Sequence, residues 1–480
     1  MADSWVNPAE RVGSDLHLDL NPDMTGGGGR RAALGRALRE AIGDGRLAPG
    51  TRLPPYRSLA ADLGLARNTV AEAYAELVAE GWLVARQGSG TRVAPRAKPV
   101  GSPRAPRPAP ARPEPPAHNL RQGLPDAASF PRTAWLAAAR RALNAAPHEA
   151  FGPGDPRGRP ELRRALAEYL ARARGVRTSP ETIVVCSGFA PALRLLFDGR
   201  VLRGPLAVES YGLPFHRSVL QAARVRTVPL TLDEHGARTT ELSALKGVRA
   251  ALLTPAHQFP TGGPLHSERR AAAVDWARGN GGLLLEDDYD GEFRYDREPV
   301  GAVQGLDPQR VVYLGSLSKS LSPALRLGWM VLPDHLVEPV LRVKGEREAW
   351  AGVTDQLTLA DFIESGHYDR HVRRTRQRYR DRRDRLVGLL ARRAPHIAPT
   401  GIAAGLHAVL GLPPGTERSV TAAAARERIA VDGLAGFRHP AATMPAHDGL
   451  VVGYAAPPDH GFAAALDALC RILPPPPGGS

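Results

Sequence analysis

The chain has 480 residues, two to three times the usual single-domain length, so two or three domains are expected. Hydrophobic residues make up 43% and charged residues 23%, which excludes wholesale disorder. A formal net charge of +14 points to a polyanionic partner, of which nucleic acid is the commonest.

Residues 1–29 read as an N-terminal arm that ends in four glycines. The opening MADSWVNPAERVGSDL lacks the basic-then-apolar layout of a leader, and no apolar run reaches membrane-spanning length. A cytoplasmic protein without a membrane segment is therefore expected. Arg31 to Gly45 spaces Leu34, Leu38 and Ile42 on one helical face before a glycine stop. Tyr56 to Leu63 follows Pro54 and Pro55 as a short second helix. Asn68 to Gly81 is a third, with Val70, Ala73, Tyr74 and Leu77 spaced for burial. Trp82 to Val84 and Thr91 to Val93 alternate as strands around Gln87, Gly88, Ser89 and Gly90. Residues 30–94 thus predict a winged helix-turn-helix of α+β type.

Pro95 to Pro116 carries nine prolines, five basic residues and one acid, so residues 95–117 read as an exposed, semi-stiff spacer. From 118 to 475, apolar strand-like runs alternate with helical stretches: TIVVC (182–186), PLAVE (205–209), AALLT (250–254), GLLLED (282–287) and VVYLG (311–315). That alternation predicts a doubly wound α/β domain over about 118–365 and a smaller α+β subdomain over about 366–475. The two cysteines, Cys186 and Cys470, are too few for a disulfide framework or a four-cysteine metal site, and no metal is expected.

Only Lys98, Lys246, Lys319 and Lys344 of the 63 basic residues are lysines. Lysine, unlike arginine, can deprotonate and condense with an aldehyde. Lys319 alone follows a predicted strand, in a small-residue turn with Ser316 and Ser318 that suits a phosphate.

Two resemblances attach to these motifs. LPPYRSLAADLGLARNTVAEAYAELVAEGWLVARQGSGTRV (53–93) resembles the DNA-binding domain of GntR-type regulators. The resemblance implies that Arg67, Asn68 and Thr69 face the bases of the major groove, with Arg57 on phosphate or a groove edge. Gly88 and Gly90 would let the wing approach phosphate, with Thr91 donating nearby. Ala71 stands where many such domains have another arginine, which leaves base reading more dependent on Arg67.

GSLSKSLSPALRLGW (315–329), LLLEDDYDGEFRY (283–295), TPAHQFPTGG (254–263) and VVCSGFAPALRLL (184–196) resemble the pyridoxal-phosphate (PLP) segments of fold-type I aminotransferases. With the GntR-type domain, the layout is similar to that of the MocR family. The family implies that Lys319 forms the PLP aldimine, that Asp287 holds the pyridinium proton (Asp288 being the competitor), and that Tyr289 bonds the ring oxygen. Ser316, Arg326 and the amides of Gly188 and Phe189 would bind the phosphate, and His257 would lie at the cofactor.

The sequence also departs from the family pattern. Leu213 stands where an aromatic ring usually covers the cofactor, Pro191 removes an amide donor, and Phe151 replaces a tyrosine that reaches the partner's phosphate. Val451 takes the place of the arginine that grips a substrate carboxylate. The arginine run 370–385 reads as a solvated helix or as a second basic surface for DNA.

These observations together predict a PLP-binding transcriptional regulator that senses PLP or an amine-containing effector. It would be a head-to-tail homodimer on a double-stranded operator with paired half-sites. The rivals are a working aminotransferase with an accessory DNA-binding domain, and a DNA-binding protein whose large domain only dimerises. The cofactor departures weigh against turnover.

Overall fold

The computed structural model describes residues 29–86, 90–95, 114–295, 300–346 and 350–476. Contacts divide the chain into two units, Met1–Glu114 and Pro115–Ser480.

In the first unit, α1 (Gly29–Gly43), α2 (Tyr56–Asp62) and α3 (Arg67–Ala79) precede an antiparallel pair, β1 (Leu83–Arg86) and β2 (Gly90–Val93). Leu34, Leu38, Ile42, Val70, Tyr74, Leu77, Leu83 and Val93 form one core, the face that helical spacing predicts. Boundaries move by at most two residues from the sequence reading. The first helix ends at Gly43, and Gly45 (φ +84°) lies in the turn beyond it. The third starts at Arg67, one residue early. Arg39 of α1 clamps Glu80, just past α3, with Nη2 2.6 Å from Oε1.

The second unit opens with β3 (His118–Asn119), α4 (Arg132–Ala145) and α5 (Pro160–Arg174). The α5 boundaries follow local chemistry: Pro160 needs no amide partner at the first helical position, and Gly175 (φ +66°) takes the left-handed end. Then come β4 (Ile183–Cys186), α6 (Phe189–Phe197), β5 (Leu206–Glu209), α7 (Pro214–Ala222) and β6 (Thr227–Leu230). A short ribbon, β7 (Leu232–Asp233) and β8 (Gly236–Ala237), leads to β9 (Ala250–Leu253), α8 (Ser267–Asn280) and β10 (Leu283–Asp287). β11 (Val311–Ser316), β12 (Gly328–Val331), α9 (Asp334–Glu346) and α10 (Val353–Glu364) complete this part.

Seven strands make one sheet in the order β4-β12-β11-β10-β9-β5-β6. Only β12 runs antiparallel to its neighbours, so five consecutive strands point the same way. Strands covered on both faces read as continuous apolar runs, which is why IVVC, LAVE and LLLED are buried throughout. In such sheets ligands collect at the carboxyl ends of the strands.

The remaining part holds α11 (His367–Arg393), β13 (Pro399–Thr400), β14 (His407–Gly411), α12 (Glu417–Arg426), β15 (Ile429–Ala430), β16 (Asp432–Gly433), β17 (Gly449–Gly453) and α13 (Asp459–Ile472). β13, β14, β17 and β16 form a four-stranded sheet, while β15 pairs in parallel with β3. The arginine run lies on α11. Its buried face is Tyr368, His371, Val372, Thr375, Tyr379, Arg382, Leu386 and Leu390. Several arginines are consumed inside the fold: Arg378 reaches Asp126 (2.6 Å) and Asp459 (2.8 Å), and Arg382 reaches Asp459 (2.7 Å). Arg376 and Arg380 donate to the carbonyls of Glu292 and Tyr295. Arg373 and Arg374 stay exposed.

Among the described residues, no helix is long and apolar enough to cross a membrane. Nor does any His/Cys/Asp/Glu cluster among them suit a metal ion.

Candidate functional site

The carboxyl ends of β5, β10 and β11 and the starts of α6 and α7 surround a cavity walled by Asp287, Tyr289, Ser316, Ser318, Lys319 and Arg326. Six residues that the sequence reading placed at one cofactor thus line one space or its rim.

One end is built for an anion. Gly188 caps α6 with φ +106°, and a Cβ added to Gly328 would lie 2.9 Å from the Gly188 α-carbon. Only glycine permits that approach. The backbone turn aims the amides at the helix start, where the positive end of the dipole lies. Arg326 (φ +50°) holds its guanidinium nitrogens about 4 Å from where a Gly188 Cβ would sit, and it has no ion pair among the described residues. A cation without an acid, beside a helix start and Ser316, is a cradle for phosphate.

The other end holds a carboxylic acid. Asp287 closes β10, and burial, then the neighbouring Asp288, raises its pKa well above the usual carboxylate range while Lys319 pulls it down. Asp288 does not compete for the cavity. Its two oxygens take Arg174 Nε (2.7 Å) and Nη2 (3.0 Å), and Tyr313 Oη donates to it at 2.7 Å. Arg174 and Tyr313 thus occupy Asp288, while Asp287, the acid that the sequence reading favoured, lines the cavity.

Lys319 lies between these ends. Its amine is pushed below the ordinary lysine value by burial, against the charges of Asp287 and Asp290, and its Nζ donates to the Gly123 carbonyl at 2.6 Å. Gly123 (φ +72°) would place a Cβ 2.9 Å from that nitrogen, so a side chain there would collide with the amine. A lysine biased towards its neutral form is a nucleophile.

Tyr289 Oη lies 2.9 Å from His257 Nδ1, which lies 2.8 Å from Asp290 Oδ2. His257 itself is buried one layer behind the cavity wall. Sequence reasoning missed several groups. Gln122 and Gly123 come from the loop after β3, far away along the chain, and no local pattern announces them. Glu209, at the end of β5, is a buried acid raised to about 7 by desolvation, with Thr254 Oγ1 donating at 2.5 Å. His216 of α7 stacks against Phe189 at 4.4 Å between ring centroids, and burial with the Lys319 charge pushes its imidazole down to about 3. A histidine two residues beyond the Pro214 helix start was the available signal.

In the first unit, Arg57, Arg67 and Asn68 are exposed, Thr69 is half-buried, and Arg67 lies 5.2 Å over the Tyr56 ring. Gly90 (φ +75°) and Thr91 stand at the start of β2. Gly88 lies outside the described residues.

The fold of the second unit matches solved aminotransferases. An archaeal alanine:glyoxylate aminotransferase superposes with a TM-score of 0.67 and 22% identity, over 74% of this chain and 90% of that one. LysN, an alpha-aminoadipate aminotransferase from Thermus thermophilus, gives 0.65 and 24%, over 74% and 91%. The pattern of "Aminotransferase class I and II" matches residues 118–446, and that of "Bacterial regulatory proteins, gntR family" matches 31–93. The pyridoxine biosynthesis regulator PdxR of Corynebacterium glutamicum is 34% identical over 402 residues, covering 83% of this chain and 86% of its own. The probable rhizopine catabolism regulatory protein MocR of Rhizobium meliloti is 34% identical over 397 residues, covering 78% and 79%. The chain belongs to the MocR-type family.

The structure places the residues that the sequence reading set apart as departures. Leu213 lines the cavity with its aliphatic chain, and Tyr211 beside it has a buried hydroxyl with no partner among the described residues. Pro191 sits in the first turn of α6, and Phe151 is 53% exposed. Val451 is fully buried on β17, opposite Val409 and packed with Leu434 and Phe437. An apolar contact of that kind offers nothing to a carboxylate.

Proposed function

We propose that this MocR-type chain is a DNA-binding transcription regulator that holds PLP at Lys319 and answers to PLP or to an amine. The observation that carries this reading is the convergence of three groups on one cavity. These are an amine biased towards neutrality (Lys319), a buried acid (Asp287) and an arginine with no acid partner among the described residues (Arg326). They fit the aldehyde, pyridine nitrogen and phosphate of PLP. When bound, PLP supplies an aldehyde carbon that exchanges one amine for another. Arg326, Ser316 and the amides opening α6 would anchor its anionic end, Asp287 would keep a proton on the ring nitrogen, and Tyr289 would bond the ring oxygen. Val451 supports sensing over turnover, because a transaminase needs a firm grip on its substrate's carboxylate.

The test is optical and kinetic. Incubation with PLP is expected to give a band near about 420 nm that borohydride abolishes, while amino donors give no steady-state turnover. A colourless protein would leave only a dimerising scaffold, and sustained turnover would make the chain an aminotransferase.

On the DNA side, Arg67→Ala is expected to lower operator affinity by about 1–3 kcal/mol and leave the cofactor band intact. An unchanged gel shift would remove α3 from the major groove. We read the protein as a homodimer, arranged head-to-tail, whose two winged helices engage paired half-sites. The internal pairing of Arg376, Arg378, Arg380 and Arg382 supports a structural role for α11 rather than a second DNA surface.

A further inference from the structure

We propose that Asp290 and His257 are positioning residues that keep the Tyr289 hydroxyl proton free for a group bound in the Lys319 cavity. The inference rests on the PLP reading above and assigns the proton bookkeeping of that site.

The argument is one of donors and acceptors around a single nitrogen. His257 Nδ1 lies 2.8 Å from Asp290 Oδ2 and 2.9 Å from Tyr289 Oη. The histidine and the aspartate are each 3% exposed. An unprotonated Nδ1 would set its lone pair against a buried carboxylate, so Asp290 fixes the tautomer with hydrogen on Nδ1. That hydrogen is shared between the carboxylate and the phenol oxygen, and towards His257 the phenol is therefore an acceptor. Its own proton has two outlets. One is Asp290, which also reaches the phenol; the other is the cavity that Tyr289 lines. Nδ1–H engages the Asp290 oxygen and weakens its pull on the phenol proton, which an acceptor bound in the cavity can then take.

The surroundings hold the arrangement. A Cβ on Gly405 (φ +74°) would lie 2.5 Å from Asp290 Oδ2 and 2.7 Å from His257 Nδ1, so the backbone of that loop packs directly on the pair. His407 of β14 stands 5.4 Å from the His257 ring, donates its Nε2–H to the Pro260 carbonyl (3.1 Å), and is pushed down to about 3 by burial and by His257. It therefore faces the pair as a neutral ring. The remaining charges felt by Tyr289 are those of Asp287 and Glu209, from the ends of β10 and β5. Among the described residues, no donor other than His257 lies within hydrogen-bond distance of the phenol oxygen.

The consequence is measurable in the cofactor's spectrum. A phenol that donates to the bound cofactor's ring oxygen stabilises the deprotonated chromophore and lowers the midpoint of its absorbance titration. His257→Leu removes Nδ1–H, and Asp290, relieved of that donor, holds the phenol proton more firmly. The titration midpoint of the PLP-loaded full-length protein should rise by about one pH unit, the worth of one charge-assisted hydrogen bond. His257→Gln keeps an N–H for Asp290 and should return most of the shift. The Tyr289→Phe background decides between positioning and packing: with no phenol to orient, His257→Leu should move the midpoint little. Should the leucine variant fail to take up PLP, Asp290→Asn in the same two backgrounds gives the comparison, with a shift expected only where Tyr289 is present. An equal shift in both backgrounds, or none in either, overturns the dyad. A wild-type protein without the band overturns the cofactor reading itself, which is a separate result.

Discussion

Lys319→Ala is expected to abolish covalent capture of PLP completely, with no band near about 420 nm and no mass gain after borohydride. The reasoning starts from composition. The chain replaces lysine by arginine nearly everywhere, yet keeps an amine at the one turn that faces Asp287 and Arg326. Burial biases that amine towards its neutral form, and a guanidinium cannot follow it there. Lys319→Arg should therefore be as colourless as the alanine variant despite keeping a cation. PLP should still bind without a covalent link, because Arg326 and the start of α6 hold the anionic end independently. Equilibrium dialysis would measure that residual affinity. A band that borohydride abolishes with a gain in mass, in either variant, would move the reactive amine elsewhere, with Lys344 the first place to look.

Arg174→Ala is expected to destabilise the second unit by about 3–5 kcal/mol, read from urea unfolding of the full-length protein. Arg174 and Asp288 are both nearly inaccessible, and two parallel hydrogen bonds join them. Truncation would strand a buried carboxylate beside Asp287, whose own proton affinity would climb further. PLP binding should weaken in the same variant, although Arg174 does not line the cavity. Replacing both partners by apolar residues should cost much less than Arg174→Ala alone, since no unpaired charge remains.

Much of this fold was legible in the sequence because its strands are buried on both faces. IVVC, AALL, LLLED and VVYLGS each became a strand of the large sheet within a residue or two of the apolar run. β12 was harder: GWMV has the same composition but runs antiparallel, and direction is set by the connection rather than by the residues. Helix ends shifted because glycine marks the turn beyond a helix as readily as its last residue, as at Gly43 and Gly45. In the site, the motif residues were visible because each is held by local chain geometry: Asp287 ends a strand, Lys319 follows one, and Gly188 opens a helix. What stayed hidden were partners brought in by topology. Nothing near Asp288 in sequence says that Arg174 will neutralise it, and nothing near Lys319 names Gly123. Asp290 was read past because one more acid after Glu286, Asp287 and Asp288 looks like a solvated turn, whereas it is buried against His257.

With PLP bound as proposed, the hydrogen bond from Lys319 to Gly123 would give the chain a way of reporting what its pocket holds. The accepting carbonyl belongs to the short stretch running on from β3, the first strand after the proline-rich tether, and β3 is laced to β15. Once the amine is committed to an aldehyde it can no longer serve that carbonyl as before, and a deprived backbone oxygen costs about 1–3 kcal/mol unless it finds another donor. Vacant and loaded pockets would thus differ in how firmly the tether's root is fastened, a mechanical signal delivered next to the sequence that leads back to the DNA-reading half.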